Sequence, residues 1–309
     1  MKKLLYIFGS LFLLLLLAGG GYAYYLYDSV QRTIDSDMHV ELKRDQSDER
    51  EQEIDMDNEE PVSFLLLGVD AEDSRQGLTD TMMVVTVNPA RDSMRMVSLP
   101  RDTRVTIPGY GEDKINHAYG LGGAELALET VEEYLDLPLD YFVTINMDGF
   151  EEMVDAVGGV PVENQFAFEQ NDIFFPEGDV YLDGERALAY SRMRKEDPDG
   201  DLGRNARQRQ VVNALIDEGA QLSSVTRAEE LLEVLGSNIL TNLDFDKMMK
   251  LQQHYASARH NQETLEIDGD GERIEGIWYL MVSEEERQRI SSDLREHLEL
   301  DNSRSAHLE

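Results

Sequence analysis

Three short apolar runs constrain the fold of this 309-residue chain more than any other feature. Val62-Ser63-Phe64-Leu65-Leu66-Leu67-Gly68-Val69-Asp70, Thr81–Val87 (TMMVVTV) and Arg95–Leu99 (RMVSL) are nearly continuous in apolar side chains. Runs of this kind are expected of central strands buried in a sheet interior. Asn88-Pro89-Ala90-Arg91-Asp92 reads as the hairpin turn between the second and third. Further on, a helix is predicted over Ala124–Leu135, with Leu126, Leu128, Val131 and Leu135 facing inward. Tyr141–Asn146 reads as a strand, Met147–Val157 as a helix, and Gly158–Val162 as a turn into another strand. Strands alternating with helices predict an α/β sandwich on a mixed sheet.

The flanks read differently. Met1-Lys2-Lys3 precedes an apolar run of about the ~20 residues that span a bilayer. The lysines stay inside, and Tyr22, Tyr24, Tyr25 and Tyr27 stand where an interfacial aromatic belt lies. Residues 1–27 are therefore expected to form an uncleaved transmembrane signal-anchor; cleavage near Ala18–Gly21 is the alternative. The chain would then be a single-pass protein of the cell membrane with an extracellular C-terminal domain. Residues 28–60 are polar and acidic beyond a short helix at Ser29–Met38, and read as an extracellular spacer. The main domain is expected over residues 61–220, with Asn164–Gly178 a loop exposing Phe166, Phe168, Phe174 and Phe175. Residues 221–309 are expected as an extension packed on the same domain. It would hold helices at Arg227–Leu235, Phe245–Ala258 and Ser283–Leu298 and strands at Thr264–Ile267 and Gly276–Val282, with Trp278 and Tyr279 as its apolar anchor.

Composition removes several function classes. The absence of Cys excludes a thiol nucleophile, a disulfide, a thiolate metal site and a lipoprotein anchor. With 63 acidic and 28 basic side chains the net charge is −35, which argues against nucleic acid as a partner. Against that background, Arg186–Arg209 (RALAYSRMRKEDPDGDLGRNARQR) carries seven bases. A cationic cluster in an anionic protein repels itself unless an anion sits in it. Alternation over Ala189–Arg194, read as a strand, puts Tyr190, Arg192 and Arg194 on one face. Asp197-Pro198-Asp199-Gly200 reads as a turn, and a helix from Gly203 puts Arg204, Arg207 and Gln208 on one stripe. The planar guanidinium fork suits phosphate oxygens. The plain alternative is a solvated face of Arg–Asp surface pairs.

Asp70 ends the first strand and Asp80 opens the next, so adjacent strands can bring both to one sheet edge. Two carboxylates with open positions suit Mg²⁺ shared with a substrate diphosphate. A metal beside an arginine cluster is an arrangement that stabilises charge on a phosphoryl leaving group. Taken alone, Asp70 also reads as a strand-end cap. His117, in KINHAY, reads either as a general base or as a packed, hydrogen-bonded residue.

FLLLGVD, TDTMM, VSLPRDT, DKINHAY, GGVPV, LDGERALAYSRMRKEDPDGDLGR and RQRQ, in that order from about Val62 to Ile216, resemble the LytR–CpsA–Psr family of cell-envelope proteins. The resemblance implies a central mixed β-sheet flanked by helices on both sides, with an apolar cavity for a polyprenyl tail. It implies an enzyme that moves an anionic glycopolymer (wall teichoic acid, teichuronic acid or capsule) from undecaprenyl pyrophosphate to peptidoglycan. One phosphate would be retained in a phosphodiester to muramic acid. By position, Asp70 and Asp80 would hold Mg²⁺, or Mn²⁺ in its place. Arg101 (in PRDT), Arg192, Arg194, Arg204 and Arg207 would grip the pyrophosphate, with Gln208 on the same stripe; Asp70, Asp80, Arg101, Arg192 and Arg194 would form the catalytic set. Lys114 and Asn116 would lie near the cavity mouth. One departure stands out: the family usually has Arg two residues before the second Asp, where this chain has Leu78. Arg75 is the candidate replacement across the loop. The missing cation keeps two rivals open: a sensor or scaffold that binds polyprenyl pyrophosphate without turnover, and a pyrophosphate hydrolase.

Overall fold

The computed structural model describes Tyr25 and residues 27–300, apart from 45, 48, 51, 72–73, 76, 222–235 and 237. The apolar runs become β1 (Val62–Val69), β2 (Thr79–Asn88) and β3 (Ser93–Ser98), an antiparallel meander. β6 (Tyr141–Asn146) lies parallel to β1 on its other side. The two sheet edges come from residues beyond 220: β11 (Ile239–Thr241) pairs antiparallel with β6, and β12 (Gln262–Leu265) runs parallel to β3. The result is one mixed six-stranded sheet in the order β11-β6-β1-β2-β3-β12. The region read as an extension therefore completes the sheet.

Period-two alternation gives each strand two apolar faces. Leu65, Leu67 and Val69 of β1, with Met82 and Val84 of β2, pack under α1 (His117–Leu135) and α6 (Glu284–His297). Phe64 and Leu66, with Met83, Val85 and Met96, face the opposite layer, to which Val212 and Ile216 of α4 (Asp201–Gln221) contribute. The chain breaks α1 at Gly122-Gly123, where Gly123 has φ +67, so the regular helix starts at Ala124 as its periodicity predicts. β4 (Arg104–Ile107) and β5 (Gly111–Lys114) form a hairpin, as do β7 (Val160–Asn164) with β10 (Gly178–Leu182) and β8 (Phe168–Gln170) with β9 (Ile173–Phe175). α2 (Met147–Val157), α3 (Gly184–Arg192) and α5 (Phe245–Lys250) complete the helices used below, and β13 (Asp270–Ile274) with β14 (Ile277–Met281) is a last hairpin.

Several expectations are corrected. Residues 28–60 do not stand off the domain: Ile34, Met38 and Met56 are buried in its core clusters. Arg50 grips Asp140 through two hydrogen bonds (3.0 and 2.8 Å), and Arg44 pairs with Glu132. Sparse apolar residues and long-range ion pairs leave no periodic trace, which is why the segment reads as a spacer. The stretch 164–178 is the β8–β9 hairpin, with Phe168 stacked on Phe175 and both buried; of its four phenylalanines only Phe174 is fully exposed. Ala189–Arg194 is not a strand but the end of α3 and the start of a turn. Asp183 caps this helix by accepting from the Arg186 N–H (2.9 Å), and the Ala-Leu-Ala core favours helix over the alternation the sequence also shows. Tyr279 is buried, but Trp278 is exposed. Among the described residues no helix is long and apolar enough to cross a membrane. The expected anchor before residue 25 and the expected helix over residues 227–235 lie outside the described residues.

The sequence gives no warning of His297, buried at the end of α6. Thr86 and Ser93 hydroxyls meet its Nδ1 and Nε2 (2.7 and 2.8 Å), and Asn88 donates to its carbonyl oxygen (2.8 Å). Burial, and then the nearby Arg95 and Arg91, lower its pKa to about 4. The folded state thus holds His297 neutral where the unfolded chain binds a proton, so this contribution is complete above pH 6.5 and is lost as the pH falls toward 4. Relative to wild type, His297→Gln is expected to flatten the decline of melting temperature over this window, removing about 2–3 kcal/mol of pH-dependent stability; parallel curves for the two proteins would contradict it.

Candidate active site

The face of β1 that carries Phe64 and Leu66 continues through Gly68 to Asp70, so one alternation runs from an apolar wall to a carboxylate. On β2 the register jumps: Gly68 pairs with Thr81 and Val69 with Thr79, leaving Asp80 as the extra residue of a bulge. A bulge re-aims the side chain of its unpaired residue, and here Asp80 lines the same cavity as Asp70. The Asp70 N–H donates to the Leu78 carbonyl (3.1 Å) and closes the connection.

That cavity has a volume of about 860 Å³. Its walls are apolar: Leu66, Met83, Val85, Val143 and Ile145 from the sheet, Phe150 and Met153 from α2, and Val212, Leu215 and Ile216 from α4. Leu251 and Tyr255, which follow α5, also line it. Its polar side chains include Asp70, Asp80, Thr81, Asn146, Ser191, Arg192, Arg204 and Gln208, with Gln252 and Arg259 contributed by the segment after α5.

The arginines divide into two kinds, those around the rim and one that holds the backbone. Arg192, the last residue of α3, reaches Asp70 (3.3 Å) and is partly exposed. Arg101 pairs with Asp80; burial works most strongly against its charge, but the hydrogen bond to Asp80 and the charges of Asp80, Asp201 and Asp102 together outweigh it and hold its pKa above the ordinary value. Arg204 is only 6% exposed, and its Nη2 donates to Asp201 (3.0 Å). Burial lowers the Arg204 pKa; Asp201 opposes that shift and the neighbouring Arg101 adds to it. Its Nε is a buried donor with no partner, which costs free energy until an acceptor arrives. Arg194 approaches Asp201 to 3.9 Å at the exposed margin.

Arg207 is placed differently from the sequence expectation. All three of its nitrogens are used internally, on the Tyr190 carbonyl (3.2 Å), the Met193 carbonyl and Asp197. The guanidinium also lies over the rings of Phe168 and Tyr190. Asp197 fits beneath α4 because residue 203 is glycine; a Cβ there would collide with its carboxylate. Arg207 therefore pins the turn between α3 and α4 and does not line the cavity, so Arg192, Arg194, Arg204 and Arg207 do not converge on one anion. Arg75 is exposed on the β1–β2 loop and Leu78 lies against Gly120; neither lines the cavity. His117 Nδ1 and Asp113 are hydrogen-bonded (2.8 Å), away from the lining.

Sequence reasoning missed Asn146, Met147 and Ser191. The signal for Asn146 was local: an Asn between strand and helix is an N-cap, and its side chain accepts from the Gly149 N–H (2.8 Å). Among the described residues no three His, Cys, Asp or Glu side chains converge as a self-sufficient metal site. Asp70 and Asp80 on one rim do fit a hard dication held by two carboxylates together with ligand phosphates.

The two kinds of arginine separate by mutation. Arg207→Ala strands the buried Asp197 carboxylate and is expected to lower unfolding free energy by roughly 3 kcal/mol. Arg192→Ala removes a partly exposed pair and is expected to cost under about 1 kcal/mol. Equal losses in denaturant titrations would contradict the division.

A sheet, a tunnel and a charged rim of this kind have counterparts. The model of the LytR_cpsA_psr family matches residues 24–296. The chain is 49% identical to the polyisoprenyl-teichoic acid–peptidoglycan teichoic acid transferase TagU of Halalkalibacterium halodurans, over 97% of this chain and 100% of that relative. It is 47% identical to TagU of Oceanobacillus iheyensis, over 94% of this chain and 93% of the relative. Among solved structures, TagU of B. subtilis aligns with a TM-score of 0.64 at 42% identity, covering 78% of this chain and 98% of that one. TagT bound to LIIa-WTA aligns with a TM-score of 0.73 at 33% identity, covering 85% and 100%. The match reaches well beyond the motifs between Val62 and Ile216 and takes in both edge strands, and the chain belongs to the LytR–CpsA–Psr family.

Proposed function

We propose that this chain transfers an anionic cell-wall glycopolymer, of wall teichoic acid type, from a polyprenyl pyrophosphate carrier to peptidoglycan. One observation carries the reading: an apolar tunnel of about 860 Å³ shares its lining with buried Arg204, Arg192 and two carboxylates. A ligand with an anionic head and a long hydrocarbon tail uses both halves. Relatives close to half identical bear the name of that transferase, and TagT has been solved bound to LIIa-WTA. The apolar N-terminal stretch would tether the protein to the cell membrane with this domain outside.

In this mechanism the tunnel walls take the polyprenyl tail. Arg192 and Arg204 donate to the phosphates, with Arg101 and Arg194 adding charge around them. The acceptor hydroxyl, on muramic acid, forms a bond to the glycan-side phosphorus while the bond from that phosphorus to the bridging oxygen breaks. The electron pair leaves with the lipid monophosphate, the hydroxyl proton passes to Asp70 or Asp80, and the polymer is left on a phosphodiester. Guanidiniums fixed beforehand stabilise the charge that develops on the leaving phosphate. Asp70 and Asp80 would hold Mg²⁺, or Mn²⁺ in its place, which when bound supplies further neutralisation of the phosphate oxygens.

The test uses the full chain in detergent, a lipid pyrophosphate-linked disaccharide and peptidoglycan oligomers, with and without Mg²⁺. The expected result is disaccharide on the oligomer and an equal amount of lipid monophosphate, only with Mg²⁺. Asp80→Ala and Arg192→Ala should each reduce transfer at least ~100-fold. Lipid phosphate released at the same rate without acceptor would replace this reading with a hydrolase. Tight lipid binding with no release would replace it with a sensor.

A further inference from the structure

The loop that carries Arg101 also carries the β13–β14 hairpin. The Leu280 N–H donates to the Asp102 carbonyl (2.9 Å), and Thr103 and Leu280 form a parallel bridge. Because the bridge is parallel, going back along β14 from Leu280 runs in the direction that leads from Thr103 back to Arg101, the partner of Asp80. Trp278 stands two residues along this path, about 7 Å from Leu280. The hairpin is anchored from its other face: Tyr279 is buried, with the Arg104 guanidinium and the Lys114 ammonium each 5.9 Å from its ring centre. Lys114 in turn pairs with Asp102, so the anchor and the catalytic loop are one piece.

Trp278 itself has one covered and one open side. Its six-membered ring lies over Gly271 of β13, where any Cβ would collide with it, and the residue remains 45% exposed. Glycine at 271 thus lets the indole lie down on the strand, with its outer side turned to solvent. Ile277 beside it is exposed too, and Arg273 is the cross-strand partner of Trp278. A flat, half-seated aromatic ring with a hydrogen-bonding side chain across the ladder fits a ligand that offers uncharged C–H faces with polar edges. Peptidoglycan glycan does: its pyranose rings present C–H faces, and their hydroxyl and amide groups stand at the ring edges.

Two observations favour the wall over the membrane as the occupant. Asp270, Glu272 and Glu275 lie on the same hairpin and would repel an anionic bilayer. The N-terminal segment packs at the other edge of the sheet, where Ile34 and Met38 cluster with Ile239 of β11 and Tyr27 meets Phe245. The hairpin is bonded to the loop that follows β3, and β3 lies four strand positions from β11, or about 19 Å across the sheet. We infer that the β13–β14 hairpin is the acceptor subsite, in which Trp278 stacks on a sugar of the peptidoglycan glycan and delivers the neighbouring hydroxyl to the rim at Arg101. The inference rests on the transferase reading for its role, but glycan binding can be measured without it.

Trp278 is the only tryptophan in the chain, so its emission reports on this hairpin alone. The experiment titrates the full chain, in nanodiscs of zwitterionic lipid, with peptidoglycan glycan oligomers, and compares emission in nanodiscs rich in phosphatidylglycerol. In parallel, transfer is measured for wild type, Trp278→Ala and Trp278→Phe. The expected result is a saturable emission change with oligomers and none on changing the lipid. Trp278→Ala should raise the acceptor KM about three- to tenfold with the donor KM unchanged, and Trp278→Phe should recover most of it. No emission change with oligomers, or a shift only in the anionic lipid, would overturn the inference. If no transfer occurs with any variant while oligomers still shift the emission, the transferase reading fails and the glycan subsite stands.

Discussion

The antiparallel pairing of β1 with β2 is the constraint on which the rest of the site depends. It places Phe64 and Leu66 opposite Val85 and Met83, so the wall of the tunnel is part of the sheet itself. At the end of the same ladder, the bulge at Asp80 swings a carboxylate toward the one that follows Val69. Apolar wall and charged rim are thus set by one register. A slip of β2 by one residue would turn Asp80 away from Asp70 and put Met82 in the place of Met83 on the tunnel wall.

Around that rim the charges are arranged to be taken over by a ligand. Each guanidinium is held by an acid of the same chain: Arg192 by Asp70, Arg101 by Asp80, Arg204 by Asp201. These pairs keep the cluster from repelling itself, in a protein whose surface is otherwise strongly anionic. They do not use up its capacity, since Arg204 Nε is buried without an acceptor. Arg207 has no such reserve. Its nitrogens are tied to two carbonyls and Asp197, and it fixes the geometry within which Arg192 and Arg204 face the tunnel.

What was legible in the sequence follows from how local the causes are. The continuous apolar runs announce β1, β2 and β3, and Tyr141–Asn146 and Met147–Val157 fall where their patterns put them. Asp70, Asp80, Arg204 and Gln208 fall in the cavity lining as strand ends and a helix stripe placed them together; Arg192 lines it too, but from a helix end and not from the strand read for it. Ala189–Arg194 was misread because alternating Tyr190, Arg192 and Arg194 also fit a helix end followed by extended Met193. The role of Arg207 could not be read, since it depends on carbonyls fourteen and seventeen residues away and on the space left by Gly203. The strand expected at Thr264–Ile267 overlaps β12, whereas the packing of residues 28–60, the edge strand β11 and the pocket of His297 are long-range outcomes with no periodic signature. Nor does a lone tryptophan reveal which side it turns to water; that required Gly271 in register with β14.

The central claim is that one ligand occupies tunnel and rim together. The most direct measurement is a crystal structure of the protein with a short polyprenyl pyrophosphate. The expected density has a phosphate within hydrogen-bonding distance of Arg204 Nε and Arg192, and an isoprenoid chain running past Leu66, Met83 and Met153 toward Tyr255. Phosphates bound only at the exposed Arg194 margin, with the hydrocarbon chain outside the tunnel, would contradict it.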